Sequence, residues 1–153
     1  MVWAPRVTVA AVIEHDGRFL LVDETADGQR VLNQPAGHLD PGESLIDAVV
    51  REVLEETGRP FEPEAVVGIY LWTHPDNGLT FLRVAFCGRV GERVPGRALD
   101  HGIHDTPWLS LPDLEAQRAR HRSPLVERCV RDYLAGQRHP LDLLERVVAG
   151  GTP

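Results

Sequence analysis

The sequence predicts an α/β fold in which a mixed β-sheet lies between helices. Residues 7–13 form a β-branched run typical of a strand buried on both faces, residues 45–57 carry apolar positions at helical spacing, and further helical segments follow near the carboxyl end. The length of 153 residues suits one domain with a substantial core, and 42% hydrophobic residues are ordinary for a globular protein. We therefore expect a single domain spanning residues 1–153.

Two hairpins are expected in the first part of the chain. Asp16-Gly17 is a strong turn signal, and residues 19–22 supply the return strand of the first hairpin. Asp27-Gly28 marks a second turn, which precedes a short strand at residues 31–34. Prolines and glycines then recur through residues 35–42, so we expect an irregular loop there.

The clearest helix signal follows this loop. Ser44 is a favourable N-cap, and Asp47 three residues later resembles the second member of a capping box. Gly58 suits the left-handed position just after a helix, and Pro60 prevents continuation. These signals predict a helix over residues 45–57.

Two longer strands are predicted at residues 66–72 and 79–86, and Asn77-Gly78 between them favours a tight hairpin. Residues 91–106 are polar and rich in glycine and proline, which indicates a loop. A short strand is expected at Trp108-Leu109.

The carboxyl-terminal segment is predicted to be helical. Apolar periodicity indicates helices at residues 111–118, 124–135 and 141–148. Gly136 and Gly150 are suitable stops for the last two. Because no repeat, low-complexity tract or linker divides the chain, these helices are expected to pack on the faces of one sheet.

The charge balance limits the class of partner. The chain carries 23 acidic and 16 basic side chains, for a formal net charge of −7. No run of basic residues marks a surface for a phosphate backbone, so duplex nucleic acid is not an expected partner. A small phosphorylated molecule stays a candidate, because a bound divalent cation can reverse the local sign of the field.

Other features indicate a cytoplasmic protein without a membrane partner. Cys87 and Cys129 stand far apart, and we interpret each as a small buried hydrophobe and not as a disulfide partner or nucleophile. The first residues lack the pattern of a signal peptide, and the longest apolar run, residues 9–13, is too short to span a bilayer. No extended apolar stripe is evident, so we expect a monomer.

Three glutamates lie along one edge of the predicted helix. At 3.6 residues per turn, Glu52, Glu55 and Glu56 fall within an arc of about 100° beside the apolar face. Like charges three and four positions apart repel one another and reduce helix stability. Such a triad is more often a solvated surface, but hard anionic oxygens on rigid helix positions are also what Mg²⁺ or Mn²⁺ requires. The flanking residues distinguish the two interpretations.

The flanking residues form a known motif. Gly37 is followed after five residues by Glu43 and after seven more by Arg51-Glu52-Val53-Leu54-Glu55-Glu56-Thr57-Gly58. Seven positions require particular residue types, so a chance match is on the order of one in ten million at average residue usage. The chain thus resembles the Nudix hydrolases. Arg59 departs from the pattern, since the family usually has a hydrophobic residue there, but this position lies beyond the helix end.

The resemblance extends outside this motif. Residues 6–10, 33–39, 122–125 and 136–141 look like the NudJ group of bacterial phosphatases, so the likeness covers nearly the whole chain. It implies a Nudix fold with an α/β/α arrangement, hydrolysis of phosphoric anhydride bonds in small phosphorylated molecules, and dependence on Mg²⁺ with Mn²⁺ as a substitute. The implied substrates are nucleoside di- and triphosphates and thiamine-pathway pyrophosphates such as hydroxymethylpyrimidine pyrophosphate and thiamine pyrophosphate.

The resemblance also assigns roles to residues. The implied catalytic set consists of Arg51, Glu52, Glu55 and Glu56, and the implied metal site consists of the three glutamates and Gly37. Gly37 allows the backbone to approach a metal or phosphate closely. Glu43 and Gly58 are interpreted as structural, the first by pairing with Arg51 and the second by capping the helix.

The general base is open at this point. Glu52 is the first candidate, and some relatives take the base from a later loop. That loop offers further acidic and histidine side chains, namely Asp100, His101, His104 and Asp105. For each of these taken singly, an exposed loop residue is the more frequent role.

Candidate substrate-binding residues lie outside the motif. Asn33 and Gln34 can hydrogen-bond a base or ring, while Trp72 and His74 can stack on a ring or touch phosphate. Arg122 can pair with a terminal phosphate. A core role for Trp72 and a surface role for Arg122 are alternatives.

Two other functions compete with this interpretation. One keeps the reaction but takes ADP-ribose or another dinucleotide as substrate, because Pro75 lies near the place where ADP-ribose hydrolases carry a proline. The other is a binding module that uses the fold without hydrolysis, since a fold alone does not guarantee activity. Such modules typically lack glutamates of the motif, whereas this chain retains all three.

Overall fold

The structure is a computed structural model that describes residues 1–149. In this range the chain forms ten strands: β1 (Arg6–Val12), β2 (Glu14–His15), β3 (Arg18–Leu20), β4 (Val22–Ala26), β5 (Gln29–Asn33), β6 (Ala36–His38), β7 (Phe61–Thr73), β8 (Thr80–Val90), β9 (Ile103–Asp105) and β10 (Trp108–Leu109). It also forms three α-helices: α1 (Leu45–Thr57), α2 (Leu111–Ala116) and α3 (Leu125–Leu134). Two short 3₁₀ turns cover Arg118–Arg120 and Leu141–Leu143.

A four-stranded mixed sheet forms the centre of the molecule. Its strand order is β6-β1-β8-β7, with β1 parallel to β8 and the other neighbours antiparallel. Two three-stranded sheets, β10-β3-β2 and β5-β4-β9, flank it. The arrangement is mixed because β1 pairs with a hairpin strand from much later in the chain.

Two hydrophobic clusters cover opposite faces of the central sheet. One contains Val49 and Val53 of α1 together with Val9 and Phe86 of the sheet. The other joins sheet residues to α2 and α3, with Cys129 at its centre. Cys87 and Cys129 are free and buried, as predicted. The helices therefore lie on both faces of the sheet, and the predicted α/β/α arrangement is confirmed.

The predicted helix at residues 45–57 is confirmed with both of its caps. The Ser44 side chain accepts a hydrogen bond from the Asp47 backbone N–H at 3.0 Å. Gly58 ends the helix in the left-handed conformation, with φ of 72°, and its N–H donates to the Leu54 carbonyl. Local signals alone were enough here because each cap forms within one turn of the helix.

The hairpin predictions hold with changes in length. Asp16 and Asp27 both adopt positive φ at the predicted turns. The strand expected at residues 19–22 is divided between β3 and β4, which belong to different sheets. The turn at Asn77-Gly78 is wider than the predicted tight hairpin, because four residues lie between His74 and Leu79, which form a backbone hydrogen bond. The Gly78 N–H donates to the His74 carbonyl within this turn.

Two predicted loops contain strands. Residues 35–42 were expected to be irregular, yet β6 pairs with β1 through three residues. Residues 91–106 contain β9, which pairs with the edge of β4. Both predictions were wrong for one reason: a free strand edge offers backbone donors and acceptors, and pairing with it outweighs the local preference of proline and glycine.

The helix predicted at residues 141–148 was also wrong. The structure has only the 3₁₀ turn Leu141–Leu143, and the backbone of His139 bridges to Val66. Leu141 and Leu144 reach the core, but Val147 is 88% exposed. So short a segment needs tertiary packing to stay helical, and this one has too little. Its expected stop at Gly150 lies outside the described residues.

The three α-helices within residues 1–149 have 13, 6 and 10 residues. No helix in this part of the chain has both the length and the apolar composition needed to cross a bilayer.

Candidate active site

Helix α1 and the loop before β9 bring three carboxylates together. Oxygens of Glu52, Glu55 and Asp100 lie within 4.8 Å of one another. The Asp100 backbone N–H donates to the Glu55 carbonyl at 2.9 Å, which fixes the loop against the end of the helix. Two members of the predicted triad thus converge, and an acidic residue from the loop joins them.

The third glutamate of the triad lies deeper. Glu56 is 6% exposed, and its Oε1 accepts a hydrogen bond from the Ala36 backbone N–H at 2.7 Å. Burial raises the pKa of Glu56 to about 9, and the neighbouring negative charges of Glu24, Glu52 and Asp100 act in the same direction. Glu56 therefore ties α1 to β6 and needs a positive partner to be ionised at neutral pH.

Glu52 is also buried, at 9% exposure. Burial raises the pKa of Glu52 to about 7, while the nearby Arg51 guanidinium opposes this effect. Two buried carboxyls with raised pKa values on one edge of a helix are typical of a functional site, because such groups reduce stability.

Arg51 holds this edge in place. Its guanidinium contacts Glu43 at 2.7 Å, Glu52 at 2.9 Å and Glu55 at 3.2 Å. It also donates to the His38 carbonyl at 3.1 Å. The pKa of Glu43 is lowered, chiefly by this hydrogen bonding, so Glu43 is a permanent anion that anchors Arg51.

Gly37 lies directly against the carboxylate cluster. A Cβ atom at this position would overlap the carboxyl group of Glu52. The strand β6 therefore approaches α1 closely only because residue 37 has no side chain.

These groups fit a divalent cation. The cluster offers only hard oxygen donors, which suit Mg²⁺ or Mn²⁺ and not zinc. The raised pKa values of Glu52 and Glu56 also indicate a place for a cation, because a nearby cation favours the ionised forms that burial opposes. Glu52, Glu55 and Asp100 are the residues placed to hold it, with Glu56 behind them.

A cavity of about 320 Å³ crosses the sheet from β6, where Gly37 packs on Glu52, to the opposite edge. The register puts His38, Thr8 and Arg83 in one row across β6, β1 and β8. The next row contains Arg6, Phe81 and Trp72. The residues that line the cavity include Arg6, Thr8, Glu24, Asp27, Asn33, Ala36, Gly37, His38, Trp72, His74, Phe81, Arg83 and Arg122.

The two ends of the cavity differ in chemistry. At the β6 end it is lined by Ala36 and Gly37, which pack against Glu56 and Glu52. At this end Arg6 and Arg122 lie near enough to His38 to lower the pKa of its imidazole, although burial is the larger cause. At the β7 end Trp72 and Phe81 are stacked at 6.0 Å between ring centroids. Neighbouring strands are about 4.8 Å apart, so the two ends are separated by roughly 14 Å.

The cavity includes most of the predicted substrate-binding residues. Asn33, Trp72, His74 and Arg122 all line it. Gln34 is different: it is 1% exposed, its amide N–H donates to the Val126 carbonyl at 2.7 Å, and its oxygen accepts from Arg83 at 2.9 Å. Because both ends of that amide are already bonded, we assign Gln34 to the protein interior and not to the ligand.

The loop candidates for the general base are separated by the structure. Asp100 reaches the carboxylate cluster. His104 forms a hydrogen bond with Thr25, Asp105 accepts from the Thr106 N–H, and His101 is exposed. In the described range, Asp100 is the member of this set that joins Glu52 and Glu55.

Sequence reasoning missed Arg83 and Glu24. Arg83 is 6% exposed and donates to the side-chain oxygens of Asn33 and Gln34. It stands between Leu82 and Val84 in an apolar strand, and this lone charge was a usable signal. Glu24 is half-buried, and burial raises its pKa. Its local sequence carries no comparable signal.

Comparison with known proteins identifies the family. The NUDIX domain family model matches residues 3–129. Phosphatase NudJ from Escherichia coli strain K12 is 39% identical over 140 residues, covering 92% of this chain and 90% of the relative.

Similar solved structures belong to the same class of enzyme. A NUDIX hydrolase from Nitrosomonas europaea has a TM-score of 0.92 and 54% identity, covering 94% of this chain and 98% of that one. An ADP-ribose pyrophosphatase from Streptococcus suis has a TM-score of 0.60 and 29% identity, covering 72% and 78% of the two chains. The carboxylates of α1, the glycine packed on them and these whole-chain similarities lead to one conclusion: the chain belongs to the Nudix family and is a hydrolase acting on phosphoric anhydride bonds.

Proposed function

We propose that the protein is a Mg²⁺-dependent phosphohydrolase of nucleoside di- and triphosphates and of thiamine-pathway pyrophosphates such as hydroxymethylpyrimidine pyrophosphate. Mn²⁺ is expected to replace Mg²⁺. The observation that carries the proposal is the cluster of Glu52, Glu55 and Asp100 packed against β6, together with a cavity that is lined by Ala36 and Gly37 of β6 at one end and by aromatic residues at the other. A molecule with a diphosphate at one end and a flat ring at the other matches both ends.

The basic side chains of the cavity support a phosphorylated ligand. Arg6 and Arg122 line it at the end near His38. Arg122 contacts Asp27 at 3.4 Å, but this pair is exposed and therefore weak, so the guanidinium is available to a phosphate. Thus, the acidic chain presents a local positive surface where the phosphates are expected.

Each residue of the helix has a role in this proposal. The bound cation would neutralise the diphosphate oxygens and lower the pKa of a water molecule for in-line attack on phosphorus. Glu52, Glu55 and Asp100 would hold that cation together with Glu56 and the backbone at Gly37. Arg51 positions Glu52 and Glu55 through its contacts at 2.9 and 3.2 Å.

We assign the general base to Glu52. Its carboxylate lies in the cluster with Glu55, beside the place proposed for the cation and its water. Asp100 lies in the same cluster and is the alternative base.

Phosphate release measures the proposed activity. The purified protein is incubated with Mg²⁺ and a panel of CDP, CTP, ADP, ATP and hydroxymethylpyrimidine pyrophosphate, and phosphate and pyrophosphate are quantified separately. We expect release that is lost with EDTA and that falls at least a hundredfold in Glu55→Gln. Release at the level of that variant for every compound would refute the proposal, and tight binding without turnover would favour a non-hydrolytic module.

ADP-ribose is the second candidate substrate. Pro75 and the similarity to an ADP-ribose pyrophosphatase of 29% identity favour it. Formation of AMP from ADP-ribose at a higher kcat/KM than phosphate release from nucleotides would replace the first proposal. Inert ADP-ribose beside active nucleotides would eliminate the second.

We also propose a single-domain cytoplasmic monomer that takes small molecules and binds neither duplex nucleic acid nor membranes. A family match over residues 3–129 and a net charge of −7 support this. Light scattering after size exclusion should give one species near 17.0 kDa.

A further inference from the structure

Arg83 is a buried cation whose hydrogen-bond partners are neutral. It is 6% exposed, and its terminal nitrogens donate at 2.9 Å to the Gln34 oxygen and at 3.0 Å to the Asn33 oxygen. Burial raises the pKa of Glu24 and the Arg83 charge opposes this rise, but no ion pair within residues 1–149 joins Arg83 to Glu24 or to another carboxylate. The described part of the protein therefore places no anion in contact with this guanidinium.

The guanidinium has more donors than these two bonds use. It carries five N–H groups and no acceptor. Burial raises the pKa of the Cys129 thiol, and hydrogen bonding from Arg83 opposes this rise, so the sulfur accounts for one further N–H group. Two N–H groups remain. Because Arg83 lines the cavity, a bound ligand can accept hydrogen bonds from them.

The neutral partners hold the guanidinium in one position. Gln34 is 1% exposed, and its amide nitrogen donates to the Val126 carbonyl at 2.7 Å, so its oxygen faces Arg83. Asn33 also presents its oxygen, since a guanidinium cannot accept a hydrogen bond. Neither amide can turn without losing a bond. The remaining N–H groups of Arg83 are therefore fixed before a ligand arrives.

The aromatic end of the cavity lies next to Arg83. Phe81 is two residues earlier on β8, so the two side chains lie on the same face of the sheet about 7 Å apart. Trp72 pairs with Phe81 on the neighbouring strand, and their rings stack with an angle of 24° between the planes. All three residues line the same cavity. A flat ring held against this aromatic surface has an edge within reach of the guanidinium.

We propose that Arg83 selects heteroaromatic rings, because its remaining N–H groups donate to a ring nitrogen or a ring carbonyl oxygen of the bound molecule. A ring without such an acceptor displaces water from these groups and leaves a buried charged donor unpaired. Diphosphates with a carbocyclic or aliphatic group are therefore rejected. This inference rests on the proposed function and deepens it, since pyrimidine rings carry such acceptors.

Two nucleoside monophosphates test this recognition without any hydrolysis. CMP carries a ring nitrogen and a ring carbonyl as acceptors. The analogue in which a phenyl group replaces cytosine keeps the ribose, the phosphate and a flat ring, but its ring has no acceptor. Calorimetric titration of each with Mg²⁺ present therefore isolates the acceptor. We expect CMP to bind at least about tenfold more tightly, because a buried hydrogen bond to a charged group contributes about one to two orders of magnitude in affinity.

Variants identify the residue responsible. Arg83→Met removes the donors but keeps a long unbranched side chain, so the preference for CMP should fall below about twofold through weaker binding of CMP alone. Arg6→Met is the matched control, since it makes the same change in a basic residue of the same cavity that lies near His38. It should weaken both ligands by a similar factor, because both carry the phosphate, and the tenfold preference should persist.

The outcomes separate this role from the proposed activity. CMP that binds no more tightly than the phenyl analogue overturns the inference, whether or not the protein hydrolyses nucleotides. A preference that persists in Arg83→Met also overturns it, and equal weakening of both ligands would place Arg83 at the phosphate. A preference lost in Arg83→Met and kept in Arg6→Met supports the inference even if phosphate release fails. Thermal melting verifies that each variant is folded. If Arg83→Met does not fold, Arg83→Lys decides, since it keeps the charge but loses the planar fork and should reduce the preference at least about threefold.

Discussion

Glu56→Gln is expected to stabilise the metal-free protein at pH 8 while removing most of its response to Mg²⁺. The reason is the burial of Glu56, which raises the pKa of its carboxyl from 4.5 to about 9. A pKa that is higher in the folded state means that folding takes up a proton. The stabilising contribution is complete below pH 4.5 and is lost as the pH rises through about 9. Glu52, with a pKa of about 7, adds to the same trend.

The size of the effect follows from the same values. One pKa unit corresponds to about 1.36 kcal/mol. At pH 8 the Glu56 carboxyl is ionised in the unfolded chain and protonated in the folded protein, and this difference lowers the free energy of unfolding by at most about 5 kcal/mol relative to acidic pH. Glutamine has the shape of the protonated acid, keeps an oxygen for the Ala36 N–H and does not titrate. We expect a gain of about 2 to 5 kcal/mol in the free energy of unfolding, which is about 5 to 15 °C in Tm for a chain of this length.

Urea unfolding with EDTA at pH 5 and pH 8 measures this difference. At pH 5 the variant and the wild type should agree within about 1 kcal/mol, since pH 5 is only half a unit above the unfolded-state pKa of 4.5. Glu92→Gln, at an exposed position, removes the same unit of charge and should change neither value.

Mg²⁺ should reduce the difference in stability between the variant and the wild type. At a hundredfold excess over its Kd a bound ligand stabilises a folded protein by about 2.7 kcal/mol, and the variant should gain much less because it has lost an anionic partner of the site. A metal-free variant no more stable than the wild type at pH 8 would refute the reasoning, because the cost of burying this carboxyl would then be absent.

Three more substitutions test the geometry of the site. Gly37→Ala should raise the Mg²⁺ concentration for half-maximal phosphate release at least tenfold, because its methyl group overlaps Glu52; Gly91→Ala, whose Cβ meets only ordinary contacts at 3.6 Å, should behave like wild type. Arg51→Gln should lower kcat about a hundredfold with a smaller change in KM, as expected for loss of positioning and not of substrate contact; an unchanged kcat would contradict this role. Asp100→Asn should weaken Mg²⁺ activation about tenfold, and His104→Ala in the same region should not; equal effects would exclude Asp100 from the metal site.

The catalytic helix could be predicted almost completely from the sequence, because its determinants are local. Ser44, Gly58 and the spacing of the glutamates act within a few residues, so a pattern along the chain describes them well. The pairing of Glu43 with Arg51 is also short-range, at eight positions apart.

The cavity could be predicted less well from the sequence, because it depends on strand register. Arg83 lies beside Thr8, in one row with His38 on the other side of Thr8, only because β1 pairs in parallel with β8, a contact between segments about 75 residues apart. No pattern within either strand specifies that pairing. The same is true of β6, whose pairing with β1 overrides a local sequence full of turn signals.

Helix α1 combines an edge that opposes folding with a face that favours it. Glu52 and Glu56 are buried with raised pKa values, yet Val49 and Val53 on the adjoining face are fully buried and the helix is capped at both ends. Arg51 offsets part of the repulsion by contacting two of the glutamates. The rigid backbone that results holds the carboxylates where neither can relax into solvent. A cation stabilises the acidic edge but not the apolar face. Metal binding should therefore increase the stability of α1 more than that of α3. Amide hydrogen exchange with and without Mg²⁺ measures this difference.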